Sequence, residues 1–213
     1  MFKTDTGISF FVGGLVALFA IPTLVLVDAP VHPLILIVAS FVIFPLGAVA
    51  GFWVFSIIAH RIPVFLQLAK FAIIGFSNFA IDSGVLSLIS LFTGVTKGGG
   101  LAPMNLPGFL TALLNSYYWN KYWTFREQSE KRDHHDFLIF LAVTIVGFLI
   151  NTGAVIVLTT NIGSLFGLSE NRWLVASKIV ATVLNLIWNF TGLKFFVFKK
   201  RAPSPAAPSQ VNQ

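Results

Sequence analysis

The sequence predicts an all-α membrane protein with six transmembrane helices: an N-terminal hairpin, then two parallel helical-hairpin repeats, with both termini cytoplasmic. Three observations carry this expectation. Of the 213 residues, 56% are hydrophobic and only 10% are charged, whereas a soluble domain carries about 25% charged residues. The 23 Phe and 5 Trp give more apolar surface than a water-soluble core of this size can hide. Six segments are apolar over the roughly 20 residues that a spanning helix needs, and the basic residues between them fall on one side.

The six segments are residues 7–27, 33–59, 68–93, 107–124, 137–161 and 173–195. The first reads as a retained helix rather than a signal peptide. Only Lys3 precedes it as a basic residue, its apolar run is long, and Pro30 follows the one small-residue site. Neither of the first two segments has a charge in its apolar run or a polar stripe. They read as an added pair, residues 1–60, ahead of a four-helix domain over 61–200. The connection 60–70, HRIPVFLQLAK, reads as a short amphipathic piece at the interface. The connection 93–107, with KGGG and two prolines, reads as a flexible loop or gate. Residues 126–136, REQSEKRDHHD, form a solvated connector, and the Pro- and Ala-rich tail 201–213 reads as disordered.

Orientation follows from Lys and Arg. With the N-terminus inside, Lys3, Arg61, Lys70, Lys121, Arg126, Lys131, Arg132, Lys194, Lys199, Lys200 and Arg201 lie inside, and only Lys97 and Arg172 lie outside. The net charge of +6 therefore hugs a membrane surface, which points to anionic lipids as partners and not to nucleic acid. Cysteine is absent, which excludes disulfides and thiolate metal sites. His32, His60, His134 and His135 have no metal-ligand spacing on a helix. No metal or cofactor is expected.

The second half of the chain repeats. Ser116–Phe125, SYYWNKYWTF, and Asn189–Phe198, NFTGLKFFVF, share an aromatic at the second position, a lysine five residues on and a Phe nine residues on. Phe71, Gly75 and Asp82 have the spacing of Phe140, Thr144 and Asn151. Residues 68–125 and 137–198 thus read as two copies of one hairpin. Both copies start and end inside, as in parallel repeats about an axis along the membrane normal.

Each repeat helix carries polar residues in steps of three or four, which keeps them on one face. Helix three has Gly75, Asn78 and Asp82; helix four Thr111, Asn115, Tyr118 and Tyr122; helix five Thr144, Gly147 and Asn151; helix six Lys178, Thr182, Asn185 and Asn189. Amides and hydroxyls also serve as interhelical glue at about 0.6 kcal/mol each. A buried acid and amine are different, since each costs about 2.5–3.5 kcal/mol near the bilayer centre. Asp82 lies about 18 Å above Lys70, and Lys178 about 24 Å above Lys194, at 1.5 Å per residue. The offset of about 6 Å is within reach of a lysine stem. The pair reads either as a structural ion pair or, in the preferred reading, as the lining of a polar cavity. At the inner rim, Lys121 and Lys194 read as interface anchors or as a phosphate clamp.

The segments FAIIGFSNFAID (71–82), SYYWNKYWTF, the Lys178 helix and NFTGLKFFVF together resemble the GtrA-like family of small polytopic membrane proteins, over about residues 66–200. The resemblance implies four transmembrane helices, with residues 1–60 as an addition. It also implies a role in cell-surface polysaccharide or glycan assembly: flipping of a polyprenyl-phosphate-linked sugar across the cytoplasmic membrane. Asp82, Lys178, Lys121 and Lys194 are its implied polar positions. On this reading Asn78, Asn115, Asn151, Asn185 and Asn189 bind the sugar head, and the lysines bind phosphate. The rivals are a scaffold for a partner glycosyltransferase and a proton-coupled exporter protonated at Asp82. Catalysis is disfavoured, because Glu127, Glu130, Asp133 and Asp136 sit in a loop too short to form a domain. Four helices make a narrow wall for a sugar, so a homodimer is expected.

Overall fold

The computed structural model describes residues 2–59, 64–124 and 134–192. They form six α-helices: α1 Phe2–Leu26, α2 Pro33–Ala59, α3 Val64–Thr93, α4 Leu101–Trp119, α5 His134–Ile156 and α6 Glu170–Gly192. A π-helical turn, Asn120–Thr124, extends α4, and another, Val157–Ile162, extends α5. There is no strand among the described residues. The stretches Lys3–Leu26, Pro33–Ala59, Ala69–Thr93 and Leu141–Ile162 are long and apolar enough to cross a membrane. Helices α4 and α6 fall short of that criterion because Asn105, Thr111 and Asn115, and Lys178, Thr182 and Asn185, interrupt their apolar runs.

Several boundaries move outward from the expected ones. Helix α4 starts at Leu101 instead of 107, so Asn105 is helical and not part of a loop. Pro103 falls in its first turn, where a missing N–H costs nothing. Residues 64–70, expected to lie along the interface, continue α3. The glycine-bearing connection is shorter than expected and is tied down. Lys97 Nζ meets Glu170 Oε1 at 2.6 Å, and the Gly98 amide donates to Thr160 Oγ1 at 2.6 Å. The charged connector 126–136 is described only from His134, as the start of α5, and the tail 201–213 lies outside the described residues.

The N-terminal pair is built into the bundle. Helix α1 packs broadly on both α2 and α3. A Cβ at Gly84 would stand 2.0 Å from the Phe19 carbonyl oxygen, so α1 and α3 touch backbone to backbone, an approach that only glycine permits. Thr23 and Ser87 share a hydrogen bond at 3.1 Å nearby. Arg172 of α6 donates to the Val27 carbonyl at 2.9 Å, where the free carbonyls of α1 attract a cation. Helices α5 and α6 pack on each other but meet α3 and α4 over much narrower contacts.

Apolar side chains turn outward. Leu34, Ile57, Leu149, Leu186 and Ile187 are all at least 60% exposed. The interior instead holds Ser77, Ser83, Asn105, Asn151, Thr152 and Lys178. A bundle with polar groups inside and leucine outside suits hydrocarbon and not water. Among the described residues, two apolar clusters are packed inside: Leu26, Leu86, Leu101, Val155, Leu174 and Ala181 in one, and Val12, Ile74 and Trp123 in the other.

Candidate functional site: a buried lysine held by four helices

Lys178 is 1% exposed, deep in the bundle. Its ammonium has three N–H donors and no acceptor, and three oxygens surround it. Asp82 Oδ2 lies at 2.7 Å, Asn151 Oδ1 at 2.8 Å and Asn105 Oδ1 at 2.5 Å. Each comes from a different helix, α3, α5 and α4 in that order. The pairing that helical rise allowed between Asp82 and Lys178 is made directly. An ammonium in this setting costs several kcal/mol if left unpaired, so the three acceptors are a condition for placing it there.

The amides are themselves held. Asn105 Nδ2 donates to Thr152 Oγ1 at 2.6 Å and to Asn151 Oδ1 at 3.3 Å. Asp82 Oδ1 is buried and accepts no hydrogen bond among the described residues. It faces Gly108, where a Cβ would stand 3.0 Å from Oδ1 and 2.7 Å from the Asp82 carbonyl oxygen. The absence of a side chain at Gly108 lets α4 close over the carboxylate.

Asn105 was missed by the sequence reading because it was counted in a loop. The repeat register could have found it. With Ser116 matched to Asn189, the same offset carried back along the helices sets Asn105 against Lys178, while Asp82 stands against Asn151. The four polar centres thus occupy two pairs of matched positions, with charge on one member of each pair.

The remaining expected residues divide. Asn115 Nδ2 donates to Asn78 Oδ1 at 2.8 Å, bracing α4 on α3. Thr144 and Asn185 are half-buried on α5 and α6. Thr111, Tyr118 and Tyr122, expected on an inward stripe, lie on the exposed face of α4. Thr111 returns its hydroxyl to the Pro107 carbonyl at 2.8 Å, which satisfies it within the helix and frees it to face outward. The inward face of α4 is Leu101, Asn105, Gly108 and Ala112. Gly75 is exposed as well. Lys121 belongs to the π-helical turn, but its side chain, that of Asn189 and all of Lys194 lie outside the described residues.

Replacing Asn105 with Leu removes one ammonium acceptor and the donor to Thr152. A loss of about 1–3 kcal/mol is expected for such stranded groups. Asn115→Leu, at a half-buried site, should cost about 0.6 kcal/mol. Thermal unfolding of the two variants in detergent checks the order.

At the ion pair the Lys178 side chain is 1% exposed and that of Asp82 18%. A cavity of about 190 Å³ opens at the loop end, lined by Thr96, Lys97, Thr159, Thr160, Glu170 and Trp173 among others. Glu170 there is held below the usual carboxylate range, first by the hydrogen bond from Lys97, then by that from Thr96 at 3.0 Å and by the Lys97 charge. A depressed carboxylate stabilises above its unfolded pKa, and that contribution fades as pH falls through the lower folded value. The Lys97–Glu170 pair is exposed, so the effect is small and salt-sensitive. In low salt, the melting difference between Glu170→Gln and the parent should be constant at neutral pH and vanish only at acid pH below the ordinary glutamate range.

A second buried ion pair also lay beyond the sequence reading. Helix α1 starts five residues earlier than expected and carries Asp5 into the interior. Asp5 Oδ1 accepts from Lys70 Nζ at 3.0 Å and from Trp123 Nε1 at 2.8 Å, and the ammonium lies 5.5 Å from the Trp123 ring centroid. All three residues are more than nine-tenths buried. The N-terminal helices are therefore not free of buried charge.

The chain is 29% identical over 131 residues to "Uncharacterized membrane protein YngA" of Bacillus subtilis (strain 168), a match covering 62% of this chain and 78% of that protein. No solved structure matches. Residues 70–198 match the family described as GtrA/DPMS, transmembrane domain, a stretch that spans α3 to α6 and contains Asp82, Asn105, Asn151 and Lys178. The chain therefore belongs to the GtrA/DPMS transmembrane-domain family.

Proposed function

We propose that the protein flips a polyprenyl-phosphate-linked sugar across the cytoplasmic membrane, for use in a cell-surface glycan. All six helices span the membrane, with both termini in the cytoplasm. The observation that carries this reading is the buried Lys178 ammonium, paired with Asp82 and cradled by two amides from facing helices. A lipid of this kind has a phosphate and a polyol head on an isoprenoid tail. The tail can stay in lipid while the head needs an internal path of positive charge and hydrogen-bonding groups. Asp82, Asn105, Asn151 and Lys178 supply both within one layer.

The narrow contacts of α5–α6 with α3–α4 supply the motion. Parting of the two hairpins exposes Lys178. Lipid phosphate then takes the place of Asp82, so the ammonium exchanges one anion for another and is never bare. Asn78, Asn115 and Asn185 meet the sugar hydroxyls along the same seam. Lys121 and Lys194 collect phosphate at the inner rim, and the exposed apolar faces of α5 and α6 meet lipid or a second copy. Family membership and the apolar exterior support a membrane protein of lipid-linked glycan processes.

The test is reconstitution in liposomes with labelled polyprenyl-phosphate sugars, scoring head-group accessibility on each side. Transfer that depends on the protein and is lost in Lys178→Met supports the reading. Transfer no faster than in empty liposomes ends it. Transfer driven only by a pH gradient and indifferent to the lipid head favours an exporter.

A further inference from the structure

Two hydrogen-bond donors from different helices converge on one oxygen at the end of the bundle where α1 begins. Lys70 Nζ and Trp123 Nε1 both reach Asp5 Oδ1, at 3.0 and 2.8 Å. An ammonium and an indole N–H aimed at a single point make an anion site. Asp5 occupies it. The donors belong to the family domain, which begins at residue 70, whereas the acceptor arrives on α1, outside that domain. Replacing such a pair whole by apolar groups of the same shape is often neutral or stabilising, so a gain in stability does not account for the carboxylate there.

The local build suits exchange. Asp5 is in the first turn of α1. Trp123 is in the π-helical turn, a geometry frequent at functional sites. Phe52 packs 6.5 Å from the Trp123 ring and Phe11 6.0 Å from Trp119, so the site has an aromatic wall. On the same helix, Tyr118 and Tyr122 lie 5.0 Å apart and are 55% and 56% exposed, giving an outward-facing ladder along which an acyl or isoprenoid chain can lie.

We propose that Lys70 and Trp123 form a receptor site for the phosphate of a lipid phosphate ester, and that Asp5 is a built-in competitor that keeps the site closed until the lipid displaces it. The identification of the anion as a lipid phosphate rests on the function proposed above; the competition does not. While Asp5 is seated, apparent affinity is reduced by the fraction of molecules in which it has left.

The experiment measures binding, not transport, so it stands apart from the flipping assay. Dodecyl phosphate, inorganic phosphate, phosphatidylglycerol and dodecanol are titrated into the detergent-solubilised full chain, with binding read by native mass spectrometry and by melting temperature. Asp5→Ala should bind dodecyl phosphate about tenfold or more tighter than the parent. Its melting temperature, lowered without ligand, should recover on adding that probe. Lys70→Met in the Asp5→Ala background should remove the gain. Asp5→Asn, which keeps the size of the side chain and drops its charge, gives a smaller gain and serves if Asp5→Ala fails to fold. No gain in either Asp5 variant, or a gain that survives Lys70→Met, overturns the proposal. An equal response to inorganic phosphate or to dodecanol overturns its lipid-phosphate-ester part, whereas a response to phosphatidylglycerol, itself a lipid phosphate ester, supports it. Flipping without an Asp5 effect defeats this site alone, and an Asp5 effect without flipping leaves a lipid-phosphate receptor of another use.

Discussion

Lys178→Met, made alone, will lower stability by about 3–5 kcal/mol, the usual cost of stranding one member of a buried ion pair. The stranded group is the Asp82 carboxylate, whose side chain is 18% exposed and whose Oδ1 has no hydrogen-bond partner among the described residues. Asp82→Asn will also be costly, because the ammonium keeps its amide oxygens but loses its counter-charge. The double variant Asp82→Leu/Lys178→Met will recover most of the loss, since apolar replacement of a whole buried pair is often neutral or stabilising. It will not recover transport. Chemical or thermal unfolding gives the first result, and the liposome assay gives the second. A double variant as unstable as the singles would mean that the Asn105 and Asn151 oxygens, stranded without the ammonium, carry the cost. A double variant that still flips lipid would remove the pair from the mechanism.

Gly84→Val should be the most damaging change at a helix–helix contact. The added Cβ would meet the Phe19 carbonyl oxygen at 2.0 Å and its carbon at 2.8 Å. Both are backbone atoms and cannot rotate aside, so α1 must move away from α3. Overpacking costs about 1–3 kcal/mol and occasionally more, and displacement of α1 also breaks the Thr23–Ser87 bond one turn away. Gly75→Val on the same helix is the control, because nothing lies within 4 Å of its would-be Cβ. The chain has no cysteine, so Thr23→Cys/Ser87→Cys makes a clean crosslinking reporter. Crosslink yield should be high in the parent and with Gly75→Val, and low with Gly84→Val. Equal yields in all three would mean that α1 docks independently of that contact.

The same contact fixes how the N-terminal pair packs, which composition leaves open. Composition alone makes residues 7–27 and 33–59 apolar spans, and an apolar span says little about its neighbours, because leucine serves lipid and helix alike. What fixes α1 is Gly84 meeting a backbone oxygen, together with Asp5 against Lys70, 65 residues apart in the chain. Neither is visible as a period or a motif. The inward stripe of α4 was misplaced for a related reason. Thr111 and Tyr118 are polar by type, but a threonine bonded back to its own helix and an interfacial tyrosine can both face outward.

By itself the sequence determined that the chain is helical and apolar, where its long spans lie, that it resembles this family, and that Asp82 and Lys178 sit at heights from which they can meet. Those features follow from side-chain chemistry and the fixed rise of a helix. Only the tertiary structure decided that Asn105 and Asn151 complete the ammonium's shell, and that Asp5 pairs with a second buried cation, Lys70. Such features depend on which faces of separate helices touch, and a one-dimensional pattern holds each helix's periodicity but not its rotation against its neighbours.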